Sequence, residues 1–423
     1  MERLDPKTLP SDRGTTVALH AAVRRHSLAW LVAANLVGLW LAALLLWPQL
    51  GDAIVPLTYG RWVPLHLDWQ LYGWCALPLV GVLLNYYVGG GENYHRAARF
   101  ALWTWSLTLA FGGFTWLRGD TSGKLFLDWT GAARVVWSLA LLTLWVALFA
   151  SAWNRRREIA GWAHVLLAAL LAVPFFLYRA TTPEIYPAIN PHSGGPTGTS
   201  QLGSTLGTIA VFGVLPWLLR LPPQGPSRTR WKFAAVFVAA LALYAGITHG
   251  DASHHQLDQI IGVGSLLLWI PVVAGYARAF AWRAGSAPWL RVAFVWWTLL
   301  VVTGLLTFLP GFSERLKFTN ALVAHSHLAM AGLVTSLHAA ILLNLPGHWA
   351  PPRWSFWLWQ AACALHIGAL LWLGWAEGND ASMLYVRGGL ADLCYGLRFL
   401  AGIAMLTASL AWLRAAWTTD ETN

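Results

Sequence analysis

The chain is 423 residues long, 57% hydrophobic and only 11% charged, with 28 Lys and Arg against 18 Asp and Glu. So few charges on so much apolar surface exclude a soluble or disordered chain and point to a bilayer. The net charge of +10 would suit nucleic acid, but the bases are placed as a membrane protein places them, and no nucleic-acid partner is expected.

Twelve apolar stretches of spanning length follow one another, near 28–48, 66–89, 98–117, 130–153, 160–179, 198–220, 231–249, 257–283, 288–311, 320–344, 355–376 and 388–414. They predict an all-α integral membrane fold of twelve transmembrane helices. Residues 1–27 read as a cytoplasmic tail, 28–417 as the membrane domain and 418–423 as a second cytoplasmic tail. With the N-terminus inside, the inner connections receive Arg24, Arg25, Arg96, Arg99, Arg155, Arg156, Arg157, Arg220, Arg228, Arg230, Lys232, Arg278, Arg283, Arg291, Arg353 and Arg414. The outer ones hold Asp52, Asp120, Asp128, Glu184, Asp251, Asp258, Glu314, Glu377, Asp380 and Asp392. This positive-inside pattern puts both termini in the cytoplasm. The polar N-terminus carries no cleavable signal, and the first span would serve as its own insertion signal. Cys75, Cys363 and Cys394 form no CxxCH motif, so a covalent c-type haem is not expected.

In this topology seven histidines gather in the outer third. His66 opens the second span and His192 lies in the outer loop before the sixth. His249 closes the seventh, followed by His254 and His255, while His325 and His327 lie about 10 Å inside the tenth. His164, His338 and His366 lie singly in other spans and read as interhelical hydrogen-bonders. The most informative group is His325-Ser326-His327. A helix turns about 100° per residue, so two side chains two apart point to nearly opposite faces. They cannot easily share one metal, but each can hold a different cofactor. The alternative is a pair of interhelical hydrogen-bonders. Imidazole is the ligand for haem iron and a good one for copper or non-haem iron. His66, His325 and His327 are the minimum set for one six-coordinate haem and one with an open position.

These residues resemble subunit I of the haem–copper oxidases and the related nitric oxide reductases, most closely the branch with two b-type haems. Leu57-Thr-Tyr-Gly-Arg-Trp-Val-Pro-Leu-His66 is similar to the start of that family's second helix, whose His holds the low-spin haem. His325-Ser-His327 resembles the tenth-helix motif, in which the first His holds the high-spin haem and the second the low-spin one. Gly396-Leu-Arg398-Phe-Leu-Ala-Gly402 is similar to the last helix, which makes Arg398 a cofactor-binding candidate. The resemblance implies two haems b and a non-haem metal, copper or iron.

The family holds that metal with one His of the sixth helix and a His pair in the seventh. Here the sixth span has no His, and the expected pair falls on His249-Gly250, with His254-His255 five residues later. The candidate ligands are therefore His249, Asp251, His254, His255 and His192, with Asp251 standing in for an imidazole. Tyr244 lies near the place where some oxidases keep a redox tyrosine.

The expected function is a respiratory terminal reductase of a prokaryotic plasma membrane, acting on oxygen or nitric oxide, with His325 and His249 at the reacting centre. Electrons would come from a partner subunit carrying a c-type haem or copper, docked on the outer face. Acids within the spans are scarce, Asp68 being the clear exception, which leans towards the two-electron substrate, nitric oxide; the sixth span also lacks the glutamate typical of the nitric oxide reductases, so both gases stay open. The alternative is a haem-b electron-transfer subunit without the non-haem metal.

Overall fold

The computed structural model describes residues 10–89 and 91–418. Every predicted stretch is helical. The long helices are α1 (Pro10–Leu46), α2 (Tyr59–Tyr87), α3 (Glu92–Arg118), α4 (Gly131–Asn154), α5 (Gly161–Ala180), α6 (Gly198–Leu218), α7 (Ser227–Gly246), α8 (Leu257–Ala277), α9 (Ala284–Leu306), α10 (Asn320–Asn344), α11 (Arg353–Asn379) and α12 (Gly389–Thr418). No strand occurs among the described residues.

Ten of these helices are long and apolar enough to cross a membrane, which makes this a multi-pass membrane protein. The other two, α3 and α7, begin with charged turns: Glu92, Arg96 and Arg99 in one, Arg228, Arg230 and Lys232 in the other. Helix α1 starts at Pro10, so residues 10–27, expected as a tail, are helical too. The segment 419–423 lies outside the described residues. All three cysteines are free and buried, as packing residues are.

The chain divides into two compact units. The first contains 10–185, 341–356 and 406–418, the second 186–340 and 357–405. Within the first, α1 packs along α2 and α3, and α3 along α4. Their seam is aromatic. Trp129 stacks on Trp137 with ring centroids 4.7 Å apart, and Trp105, Trp116 and Tyr72 meet this pair edge-on. Within the second, α8 packs on α6 and α7, and α9 runs along the middle of α10.

Two helices widen where the histidines sit. Residues Trp69–Cys75 of α2 and Leu328–Val334 of α10 are π-helical, each beginning within three residues after His66 or His327. A π-turn opens the ladder and leaves a carbonyl in need of another donor. Tryptophans supply it in both units: the Trp105 indole donates to the Tyr72 carbonyl at 2.9 Å, and the Trp359 indole to that of Ala331 at 3.0 Å.

Arg24 does the same for a helix end. Buried to 2% exposure, it donates to the carbonyls of Leu342, Leu345 and Pro346, where α10 runs out. By contrast, Arg96 pairs with Glu92 in water, with both side chains more than half exposed. Replacing Arg24 by Met should therefore cost about 2–3 kcal/mol, from buried carbonyls left without donors. Arg96→Met should stay within about 1 kcal/mol. Thermal midpoints of the detergent-purified variants check this, and equal midpoints would refute it.

Candidate functional site

His66 sits about two turns into α2. Its Nδ1 lies 2.9 Å from the Ala34 carbonyl of α1. A carbonyl only accepts, so Nδ1 carries the proton and Nε2 the lone pair. The ring rests on Gly38 of α1, where a Cβ would come within 2.6 Å of Cε1. The sequence places glycine where the imidazole needs the room.

His325 and His327 are fixed in the same tautomer by different partners. The Thr303 hydroxyl of α9 donates to the Leu299 carbonyl at 2.8 Å, so its oxygen accepts from His325 Nδ1 at 2.9 Å. His327 Nδ1 donates to the Val323 carbonyl, one turn back in α10, at 2.8 Å. The His327 ring lies against His366 of α11, centroids 4.4 Å apart. One imidazole thus faces α9 and the other α11, as the helical spacing requires. All three histidines direct the lone pair to Nε2. An Nδ1–H held by a backbone or hydroxyl oxygen is how proteins orient a metal-binding imidazole. The donor set fits haem iron on this chemistry.

A second group forms in the loops of the same unit. His254 is fully buried and its Nε2 lies 2.7 Å from Glu314 Oε1. His255 Nε2 lies 3.2 Å from the same oxygen and is half exposed. These three side chains bring ligand atoms within 4.8 Å of one another. The His192 ring adjoins them, 4.9 Å from His255 between centroids, with its Nδ1 2.7 Å from Ser253 Oγ. Burial pushes the Glu314 carboxyl up, but the hydrogen bond from His254, helped by the Gly311 N–H, outweighs this and holds it at about 2. Glu314 is therefore a carboxylate at neutral pH.

Asn190 fixes the His254 tautomer. Its Oδ1 accepts from the backbone N–H groups of His192 and Ser193 at 3.0 and 3.4 Å. Its Nδ2 therefore donates to His254 Nδ1, at 2.7 Å. With Nδ1 accepting, His254 Nε2 holds the proton and donates it to Glu314.

His254, His255 and His192 thus come together as one loop cluster, while other predicted residues stand outside it. His249 is exposed and its Nε2 donates to the Tyr244 carbonyl at 3.0 Å, the two rings edge-on. Asp251 is exposed. Arg398 is half-buried on α12. Asp68, two residues from His66, is fully buried.

Sequence reasoning missed Glu314 as a partner, because sixty residues separate it from His254. It also missed His366 beside His327, and Glu377. Expected in an outer connection, Glu377 is buried and accepts from Asn320 at both backbone N and Nδ2, 2.7 Å each, at the start of α10. A carboxylate at a helix N-terminus would have been a recognisable signal had the pairing been known.

No protein-family model matches the chain, and no curated protein sequence does. Solved structures do. A haem–copper terminal oxidase dimer determined by cryo-electron microscopy is similar with a TM-score of 0.51 and 11% identity, over 95% of this chain and 84% of that one. At that identity the likeness is one of fold: this chain is folded like a haem–copper terminal oxidase subunit.

Proposed function

We propose that the chain is the haem-bearing subunit of a membrane terminal reductase, with oxygen or nitric oxide as substrate. The observation that carries this is the pair His325 and His327, two residues apart, each with Nδ1 held by its own acceptor and the two rings set against different helices, α9 and α11. The fold likeness to a haem–copper terminal oxidase supports it. His66 and His327 would be the axial ligands of a low-spin haem b, His325 the single ligand of a high-spin haem b, and Arg398 a partner for a haem's charged groups. The haems would supply electron relay and an open iron position for the gas. The protein's part is to hold each imidazole in one tautomer and one direction: Ala34 and Gly38 for His66, Thr303 for His325, Val323 and His366 for His327.

Replacing His66 or His327 by Ala should remove the low-spin signal from the reduced-minus-oxidised spectrum. His325→Ala should keep that signal and lose carbon monoxide binding. Gly38→Val should behave like His66→Ala, because its side chain takes the place of the ring. Loss of one and the same feature from His325→Ala and His327→Ala would sink the assignment.

For the second metal, copper or iron, the proposal draws on His249, Asp251, His192, His254 and His255, with Tyr244 beside His249. A specific observation favours the other reading, an electron-transfer subunit without that metal. His254 and His255 are turned to Glu314, His249 to the Tyr244 carbonyl, and α6 contains no histidine. Turnover decides. A terminal reductase should reduce oxygen or nitric oxide and should lose this on His249→Ala with both haem spectra intact. Full turnover in His249→Ala would remove His249 from the centre, and no turnover in the unchanged protein with either gas would leave the electron-transfer reading.

The electron donor is proposed to be a subunit carrying a c-type haem or copper, docked on the acid-rich loops predicted to face outward. Cross-linking in native membranes should map it to residues such as Asp52, Glu184, Asp251 and Asp380. Contacts confined to the arginine-rich connections would contradict it.

A further inference from the structure

We infer that the connections after α6 and α8 form a docking site for an anionic phospholipid, its headgroup on their basic side chains and its acyl chains along α7. Both connections lie at the end of the bundle predicted to face inward, and backbone bonds stitch them together. The Gln224 N–H donates to the Ala279 carbonyl at 2.8 Å, and its side-chain amide to the carbonyls of Arg278 and Phe280 at 3.1 and 2.9 Å. The Ala281 N–H donates in return to the Pro222 carbonyl at 2.9 Å, and Pro223 and Phe280 form a bridge. The Phe280 ring is fully buried, edge-on to Trp217 and Tyr276 with centroids 5.2 Å from each. The platform is therefore preorganised, and a ligand seated on it has little loop entropy to overcome.

The charge on this platform is of one sign. Arg228, Arg230 and Lys232 open α7, while Arg278, Arg283 and Arg291 flank the passage from α8 to α9. No acid occurs between Glu184 and Asp251 or between Asp258 and Glu314. Among the described residues, Arg228, Arg230, Lys232, Arg278 and Arg291 pair with no carboxylate. By contrast, the arginine run after α4 carries its own acid, Glu158, which accepts from Arg155 at 3.0 Å. Arg230 is half-buried, and its Nη1 is enclosed by the protein without a hydrogen-bond partner. A guanidinium presents its donors in a fixed fork that suits phosphate oxygens, so an enclosed donor left unmet favours a phosphate beside it.

The apolar surface beside these charges decides for a lipid over a soluble anion or an acidic protein. Of the 20 residues of α7 only Phe233 and Ala240 are buried. Trp231, between Arg230 and Lys232, is 74% exposed, and Val238 is 66% exposed. Seven residues make about two turns, so both side chains lie on one face, roughly 10 Å apart along the helix. Trp231 stands at the level of the charges, where an amphipathic indole meets headgroups, and Val238 at the depth of acyl chains. A free phosphate would use the guanidinium groups and leave this face bare, whereas a phospholipid uses both. Each Lys or Arg near the headgroups adds to the attraction, which salt screens.

The test is native mass spectrometry of the purified full chain in neutral detergent, titrated with phosphatidylglycerol and, separately, with phosphatidylcholine. Thermal midpoints recorded for each variant show that the fold is intact. The wild type should hold its tightest phosphatidylglycerol at least about tenfold more strongly than phosphatidylcholine. The triple variant Arg228→Gln, Arg230→Gln, Lys232→Gln should lose that margin, weakening phosphatidylglycerol at least about tenfold. Arg278→Gln with Arg283→Gln should weaken it as well, which keeps the test decisive if the triple variant does not fold. The control pair Arg156→Gln with Arg157→Gln, after α4, should stay within about twofold of the wild type. Unchanged affinity in the folded platform variants, an equal loss in the control, or equal binding of both lipids would overturn the site. So would inorganic phosphate alone raising the thermal midpoint as far as phosphatidylglycerol does, since that marks an anion site without a lipid. The titration stands apart from the haem assignment: a protein found to carry no haem but to show this lipid pattern would refute the proposed function and keep the site.

Discussion

The structure depends on one constraint, that polar backbone groups inside an apolar medium must find partners within the protein. Helices meet it over most of their length. Where they do not, side chains of unusual reach are placed. Arg24 covers the carbonyls at the end of α10, and Glu377 covers Asn320 at its start. The Trp105 and Trp359 indoles cover the two π-helical turns. This gives the abundant tryptophans a role beyond the membrane interface. Trp116 and Trp297 are fully buried, and their N–H groups donate to the interior carbonyls of Asp128 and Trp269.

The same constraint prepares the histidines. A buried imidazole has one N–H to satisfy, and the nearest carbonyl or hydroxyl fixes which nitrogen carries it. Ala34, Thr303 and Val323 each take an Nδ1–H. Bonds that would be needed simply to bury a histidine therefore leave the lone pair on Nε2. The loop cluster shows the converse. His254 is satisfied on both sides, by Asn190 at Nδ1 and by Glu314 at Nε2.

The helices were legible in the sequence because a spanning segment is a local property, fixed by about twenty consecutive residues. All twelve stretches are helical, and the two that are less apolar, α3 and α7, both begin with charged turns, α3 ending on Arg118 as well. The opposed directions of His325 and His327 were legible too, since they follow from helical geometry alone. What was not legible depends on contact between distant segments. Glu314 reads as one outer acid among many until the loop at 253–255 meets it. His366 reads as a solitary hydrogen-bonder until its ring lies on His327. The π-turns have no spacing signature, because a single inserted residue shifts the apolar pattern too little to register.

The rotation of α10 about its own axis matters most to the haem proposal, because His325 and His327 are useful only in one azimuth. A slip of one residue would turn both rings by about 100°. The second unit fixes that angle at several heights. Glu377 holds Asn320 at the first turn, and Gly374 of α11 lies so close to Ala321 that a Cβ there would meet its backbone nitrogen. Thr303 holds His325. Deeper, Gly332 receives the Trp296 ring at a distance that no side chain would allow, while Trp296 and Ser336 are both hydrogen-bonded to Gln360. The Trp359 indole takes the Ala331 carbonyl between these levels. A helix gripped at its start, at its histidines and at its widened turn cannot rotate without breaking bonds that have no water to replace them. The aim of the two imidazoles is thus set by the packing of α9 and α11 as much as by the spacing that first singled them out.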